Sequence, residues 1–319
     1  MKSWLARAIL CALAITANFA CAGIAPQEGN AWTLVLSDGT PLKMLWIAGG
    51  TFTMGSPPSE ALRASDEGPQ IKVTLTRGFW LGTTVVTIAQ WKAVMGMDVR
   101  GQLSKVLHDD TRYDFGGIKQ TVRDYMHFSA DADLDKYLNN ESDDLPMYFV
   151  SWSDAMAFCR RLSARERAAG RLPRRYEYAL PTEAQWEYAS RAGTSSATYA
   201  PLLDDIAWYD ANSAEGYRGK GWPVRGHNAG PHPVAQKRPN VWGLYDMSGN
   251  IWQWCRDWYA AYRGSRVSDP TGPATGTERV NRGGSFGSAA GDERSANRAK
   301  NPPAEASAFR GFRLALVAR

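Results

Sequence analysis

Between Gly243 and Tyr259 the chain reads Gly-Leu-Tyr-Asp-Met-Ser-Gly-Asn-Ile-Trp-Gln-Trp-Cys-Arg-Asp-Trp-Tyr. Glycine, tryptophan and oxygen-bearing side chains are too dense here for an ordinary helix or strand. Further along, Asp292 and Glu293 are adjacent carboxylates that, with those of residues 98–145, can supply a general acid and base, although spacing selects no particular pair. Glu183 and Glu187 share one helix face and read as hydrogen-bond partners of arginines such as Arg282, Arg298 or Arg313. His227 and His232 flank Asn-Ala-Gly-Pro and can reach a common ion, with a structural His232-Pro-Val turn as the alternative. The chain has 4 His, and no predicted helix carries two of them. Of the 4 Cys, Cys11 and Cys21 lie at the extreme N-terminus. Cys159 and Cys255 remain, and a single pair is not a disulfide framework. They read as two buried free thiols. Trp242, Trp252, Trp254 and Trp258 can stack on a sugar or fill the core; aromatic rings more often do the second.

Positioning these groups requires short strands, two clear helices and long ordered loops. Trp32 to Leu36 and Pro41 to Met54 read as strands broken by a turn at Asp38-Gly39. Ile71-Lys-Val-Thr-Leu-Thr76 alternates as a half-buried strand does. Phe79 to Val86 follows as a strand. Ile88 to Met95 reads as a helix with Trp91, Val94 and Met95 inward. Residues 98–145 read as a polar insertion on the surface, with a helix near Asp131 to Leu138. Ser151 caps an amphipathic helix in which Asp154 favours the dipole and Gly170 closes the end. Ala155, Phe158, Cys159 and Leu162 form its apolar face. Tyr176 to Leu180 is a short strand. Thr182 and Gln185 form a capping box on a second helix, which Gly193 ends. The pattern is α+β in one domain from about residue 32 to 319, with no internal repeat.

Leu180-Pro-Thr-Glu-Ala-Gln-Trp-Glu-Tyr188, the Gly243–Tyr259 motif, Arg282-Gly-Gly-Ser-Phe286 and Gly311-Phe-Arg313 together resemble the formylglycine-generating enzyme (sulfatase-modifying factor) family. The resemblance runs from about Met44 to the C-terminus. It implies that family's variant of the C-type lectin fold, with little regular secondary structure and bound calcium. By this resemblance one calcium is held by the side chains of Asp246 and Gln253 and the carbonyls of Gly249 and Ile251. Calcium takes six to eight oxygens and accepts backbone carbonyls. Gln253 stands where the family usually has Glu. A second family calcium site corresponds to the Asn212-Ser213 region.

The family's formylglycine-forming members bind copper(I) with two cysteines just after the Gly-Gly-Ser motif, because thiolates suit that soft ion. Aligned from Gly283-Gly-Ser285, those positions fall on Ser288 and Glu293, so copper is not expected. Val85 also stands where the family usually has Glu. Three functions follow from the resemblance. The first is a calcium-stabilised binding or accessory module, with a groove near Arg282, Ser285, Asn297 and Arg298 for a protein, peptide or glycan ligand. The second is an oxidation or tailoring enzyme using Glu293 or an oxygen-ligated metal. The third is formylglycine generation by a route without paired thiols.

Composition narrows the setting. Hydrophobic content of 44% and charged content of 22% are those of a soluble globular protein. A net charge of +5 without any basic run argues against nucleic acid binding. Lys2, Arg7, the apolar run Ala8 to Ala17 and Ala20-Cys-Ala22 read as a secretory signal over residues 1–22, leaving Gly23 first. A lipid anchor at Cys21 is the competing reading. No later stretch is long and apolar enough to be transmembrane.

Overall fold

The computed structural model describes residues 27–127, 138, 141–217, 221–264 and 266–319. The stretch expected to be a secretory signal, with Cys11 and Cys21, and all but Leu138 of the expected helix near Asp131, lie outside the described residues.

Alternating apolar residues build three main sheets. The largest has five strands in the order Trp32–Val35, Pro41–Ile47, Phe79–Gly82, Ala315–Ala318, Tyr176–Ala179, every neighbour antiparallel. The last strand of the chain thus lies between two strands made far earlier. A four-stranded sheet runs Ala299–Asn301, Arg279–Arg282, Trp252–Trp258, Arg310–Phe312. Its Trp252–Trp258 strand carries the second half of the Trp-rich motif, so only Gly243–Ile251 behaves as the loop its composition suggests. The third sheet orders Arg266–Ser268, Ile71–Leu75, Gly50–Met54.

The stretch expected to run from Pro41 to Met54 divides at Ala48-Gly49 between two sheets. A side chain at Gly49 would lie 2.6 Å from the Leu75 carbonyl oxygen, so the crossing needs glycine. The helices start where capping predicts. Thr87, Ser151 and Thr182 each accept the N–H three residues on, and Gln90, Asp154 and Gln185 return the bond. Cys159 lies fully buried with Ala155, Phe158 and Leu162, as the helical spacing requires. Met95, expected inward, is only half-buried.

Residues 98–145 depart from their expected surface position. Asp98 caps a helix over Val99–Leu107, followed by a hairpin of Tyr113–Phe115 and Ile118–Gln120 and a short helix over Val122–Tyr125. Val99, Leu103 and Leu107 join the main core beside Trp91 and Phe158. Their spacing of four residues is helical, but the surrounding charges mask it. A second core lies beneath the Glu183–Arg191 helix, where Trp186 packs with Met247, Cys255 and Val280. Of the residues singled out above, Cys255 lies in this second core with Trp242 packed against it, whereas Cys159 and Trp254 lie in the main one.

Candidate functional site

Gly283 and Gly284 both have positive φ, +100° and +71°. Glycine is needed at 284 for a second reason: a Cβ there would fall 2.2 Å from a carboxylate oxygen of Glu293. The loop therefore closes directly over Glu293, which ends the 3-10 turn Ala290–Glu293. Ser285 N donates to Ser288 Oγ at 3.1 Å, and the two hydroxyl oxygens lie 2.9 Å apart. Glu293 is fully buried, and neither of its carboxylate oxygens has a hydrogen-bond partner. The nearby N–H groups of Ser285 and Gly249 are engaged elsewhere, by Ser288 Oγ and the Gly283 carbonyl. Burial, and then Asp292, push the Glu293 carboxyl well above the usual range, with the backbone of Ser285 and Gly249 opposing.

Behind this loop lies a buried ion-pair network. Glu187 Oε1 accepts the Gly55 N–H at 2.8 Å and Arg191 Nε at 2.9 Å, while its other oxygen pairs with Arg282. Glu183 accepts Arg298 Nε at 2.6 Å and Nη2 at 2.9 Å, with Arg282 Nε 3.1 Å away. Burial raises the Glu183 carboxyl, but Arg298 and then Arg282 outweigh it and hold the group below its usual value. Burial likewise lowers the Arg282 guanidinium, and Tyr262, Glu187 and Glu183 more than restore it. The sequence pairing of Glu183 and Glu187 with arginines holds for Arg282 and Arg298. Arg313 bonds instead to Gln253 and backbone carbonyls.

Arg282, Ser285, Asn297 and Arg298, expected to line one groove, are all buried. Arg282 and Ser285 face the network and the Gly-Gly loop. Asn297 Nδ2 donates to Asp292 Oδ1 at 3.0 Å. Only Arg298 reaches an open cavity, of about 530 Å³, whose wall also includes Glu183, Asp257, Trp258 and Tyr262. Sequence reasoning did not single out Asp257. The one signal available was a charged residue alternating with tryptophans on a strand.

The loop expected to hold calcium is tied by the protein's own groups. Gln253 Oε1 accepts Trp186 Nε1 at 2.9 Å and Arg313 Nε at 3.0 Å, and Gln253 Nε2 donates to the Asp246 carbonyl at 2.7 Å. Asp246 Oδ2 accepts the Ala235 N–H at 3.0 Å, and the Gly249 carbonyl accepts the Ile251 N–H at 2.9 Å. Arg313, fully buried, also donates to the carbonyls of Gly82, Tyr245 and Asp246. A guanidinium therefore stands among the oxygens a metal would need. Burial lowers its pKa to about 10, with Asp246 opposing. With both lone pairs of Gln253 Oε1 engaged, this donor set as arranged does not fit a calcium ion. Asn212 and Ser213 are also bonded internally, to Tyr209 N and to the Phe286 carbonyl. Among the described residues no three His, Cys, Asp or Glu side chains gather as a metal site.

The remaining candidates separate. His232 is buried, stacks on Trp208 at 3.7 Å and bonds through Nε2 to the Ser213 carbonyl, whereas His227 is exposed. Burial pulls the His232 imidazole below its usual pKa. Trp254 is fully buried, and Trp242, Trp252 and Trp258 are half-buried. Cys159 and Cys255 are both free and buried, each with its thiol pushed up by burial.

A glycine-closed loop over an ion-paired second core, flanked by short mixed sheets, defines a domain of the sulfatase-modifying type. The chain belongs to the sulfatase-modifying factor enzyme 1-like domain family, which matches residues 36–318. It is 37% identical to the formylglycine-generating enzyme of Streptomyces coelicolor over 185 residues, 53% of this chain and about half, 52%, of that relative. It is 30% identical to the chaperone protein LppX of Paenibacillus barcinonensis over 67% of this chain and 71% of the relative. The solved structure of Treponema denticola variable protein 1 superposes with a TM-score of 0.64 at 26% identity, covering 89% of this chain and 98% of that one. The expected α+β lectin-like variant is thereby established.

Proposed function

We propose that this chain uses the family scaffold as an exported binding or accessory module and does not form formylglycine with copper. The observation that carries this reading is the content of the loop after Gly283-Gly284-Ser285. Ser288 and Glu293 stand at the aligned thiol positions, and they are hard oxygen donors unsuited to copper(I). Glu293 is moreover fully buried beneath Gly284, closed off from an incoming ion. Cys159 and Cys255 are closed off in separate cores. The relative named as a chaperone supports an accessory role within the same family. The deciding experiment incubates the purified protein aerobically with copper(I) and a sulfatase-type cysteine peptide. The peptide is expected to remain unoxidised by mass spectrometry; aldehyde formation would overturn the proposal.

A second reading, a tailoring enzyme without copper, rests on Glu293 alone. Burial beneath a glycine loop, which raises a carboxyl above its ordinary range, is one way an acid catalyst is tuned. It would be distinguished by an activity that Glu293→Gln abolishes while the fold is retained.

A further inference from the structure

The cavity of about 530 Å³ opens between the Trp252–Trp258 strand and the loop from Ser268 to Pro273. Its rim, including Arg263, Ser268, Thr271 and Pro273, is exposed, and its floor, including Met54, Ile71, Ala184 and Asp257, is buried. Most of the polar groups on the floor are engaged. Glu183 is held by Arg298 and Arg282. The three guanidinium nitrogens of Arg298 donate to Glu183, the Asp66 carbonyl and the Ala260 carbonyl. Asp257 differs. Only 4% of it is exposed, and its Oδ2 accepts the Glu183 N–H at 3.0 Å. Its Oδ1 takes no protein hydrogen bond yet is not among the sealed-off buried oxygens, and it lies 3.4 Å from where a Cβ on Gly272 would stand, in the loop that walls the cavity. A carboxylate oxygen that opens onto a cavity without a protein donor is available to accept one from a ligand.

We propose that this cavity binds a primary ammonium group carried on an apolar stem, with Asp257 Oδ1 as its acceptor. The apolar wall of Met54, Ile71, Val267 and Pro270 suits the stem. An anion is disfavoured, because the arginine that reaches the cavity floor is already neutralised. A guanidinium is disfavoured because its paired N–H groups seek both oxygens of a carboxylate, and one is committed to Glu183 N. An ammonium is a point charge that needs only one. The shared chemistry is that of a free alkylamine or of a lysine side chain.

Proton linkage gives the site a signature. Burial, then the Glu183 charge, raise the Asp257 carboxyl to about 7, against the pull of the Glu183 N–H, Arg256 and Arg298. Arg279, on the neighbouring strand, also feels the Asp257 charge. A carboxyl with that value is roughly one-tenth ionised at pH 6 and nine-tenths at pH 8, so ammonium affinity rises by about tenfold over that window.

The test titrates the full protein with hexylammonium, with an Nα-acetyl-lysine amide and with hexanol, following Trp fluorescence and heat. Either amine is expected to bind about tenfold tighter at pH 8 than at pH 6. Tighter binding of the lysine derivative would identify a peptide side chain as the source, and the reverse a free amine. Asp257→Asn keeps an acceptor for Glu183 N and is expected to lose both the amine preference and the pH dependence. Val267→Trp, which fills the cavity, is expected to lose binding altogether, and the melting curve of each variant reports that it is folded. Hexanol binding as tightly as the amine, pH-independent binding, or no binding of either amine to the parent protein would overturn the proposal. These outcomes are independent of the copper experiment above.

Discussion

Glu293 is a large buried group with no hydrogen bond, and its removal makes a prediction with a definite sign. Its folded pKa is raised, so the native state binds a proton that the unfolded chain has released. Stability from this group therefore falls as pH rises above the ordinary carboxylate value. Glu293→Met removes the desolvated acid at similar volume and is expected to raise the melting temperature by roughly 2–5 °C at pH 8, with a smaller gain at pH 4. Calorimetry at the two pH values checks this; a loss of stability at pH 8 would mean that the carboxyl has a partner, such as buried water. A gain made at the expense of function would mark Glu293 as retained for its chemistry. The two cysteines give a second test. With both thiols buried and raised, iodoacetamide is expected to leave Cys159 and Cys255 unmodified in the folded protein and to alkylate both in denaturant. Rapid alkylation of either thiol in the native state would contradict the described burial.

At the scale of elements, the Glu183–Arg191 helix is held to the Arg279–Arg282 strand by buried charges, of which Glu187 and Arg282 are fully enclosed. Glu187→Ala leaves Arg282 fully buried with one counter-ion fewer, and is expected to cost about 3–5 kcal/mol in urea unfolding. A cost below 1 kcal/mol would show that water reaches the network. The Asp246–Gln253 loop makes a complementary prediction: with Arg313 and Trp186 on Gln253, a chelator is expected to leave the melting curve unchanged. A fall would show that a calcium ion takes the place of those donors. These elements were legible in the sequence to different degrees. Thr182, Gln185 and Ser151 mark helix starts because capping is local chemistry, fixed within four residues. The Gly-Gly-Ser loop was legible as a motif, but its closure over Glu293 was not, because that contact depends on how two loops fold back. The core position of Val99, Leu103 and Leu107 was hidden by neighbouring charges that face solvent. Asp257 was not singled out from sequence, since its cavity is assembled from Met54, Ile71 and Glu183, distant in the chain, together with the Ser268–Pro273 loop.

For the whole molecule, the two ends of the described chain meet in one sheet. Ala315–Ala318 pairs with Phe79–Gly82 on one side and Tyr176–Ala179 on the other, and Arg313 ties the Gly82 carbonyl to the Trp-rich loop. Deleting residues 313–319 is expected to abolish folding outright, read as loss of the cooperative melting transition. A truncated protein that still melts cooperatively would show that the sheet closes without its fourth strand.

That placement has a consequence for the order of folding. The Phe79–Gly82 and Tyr176–Ala179 strands have no direct pairing with each other and are joined only through Ala315–Ala318. Contacts between segments so distant in sequence carry a large loop-closure cost and form slowly. The large sheet is therefore expected to close late, after the capped helices, whose contacts are local.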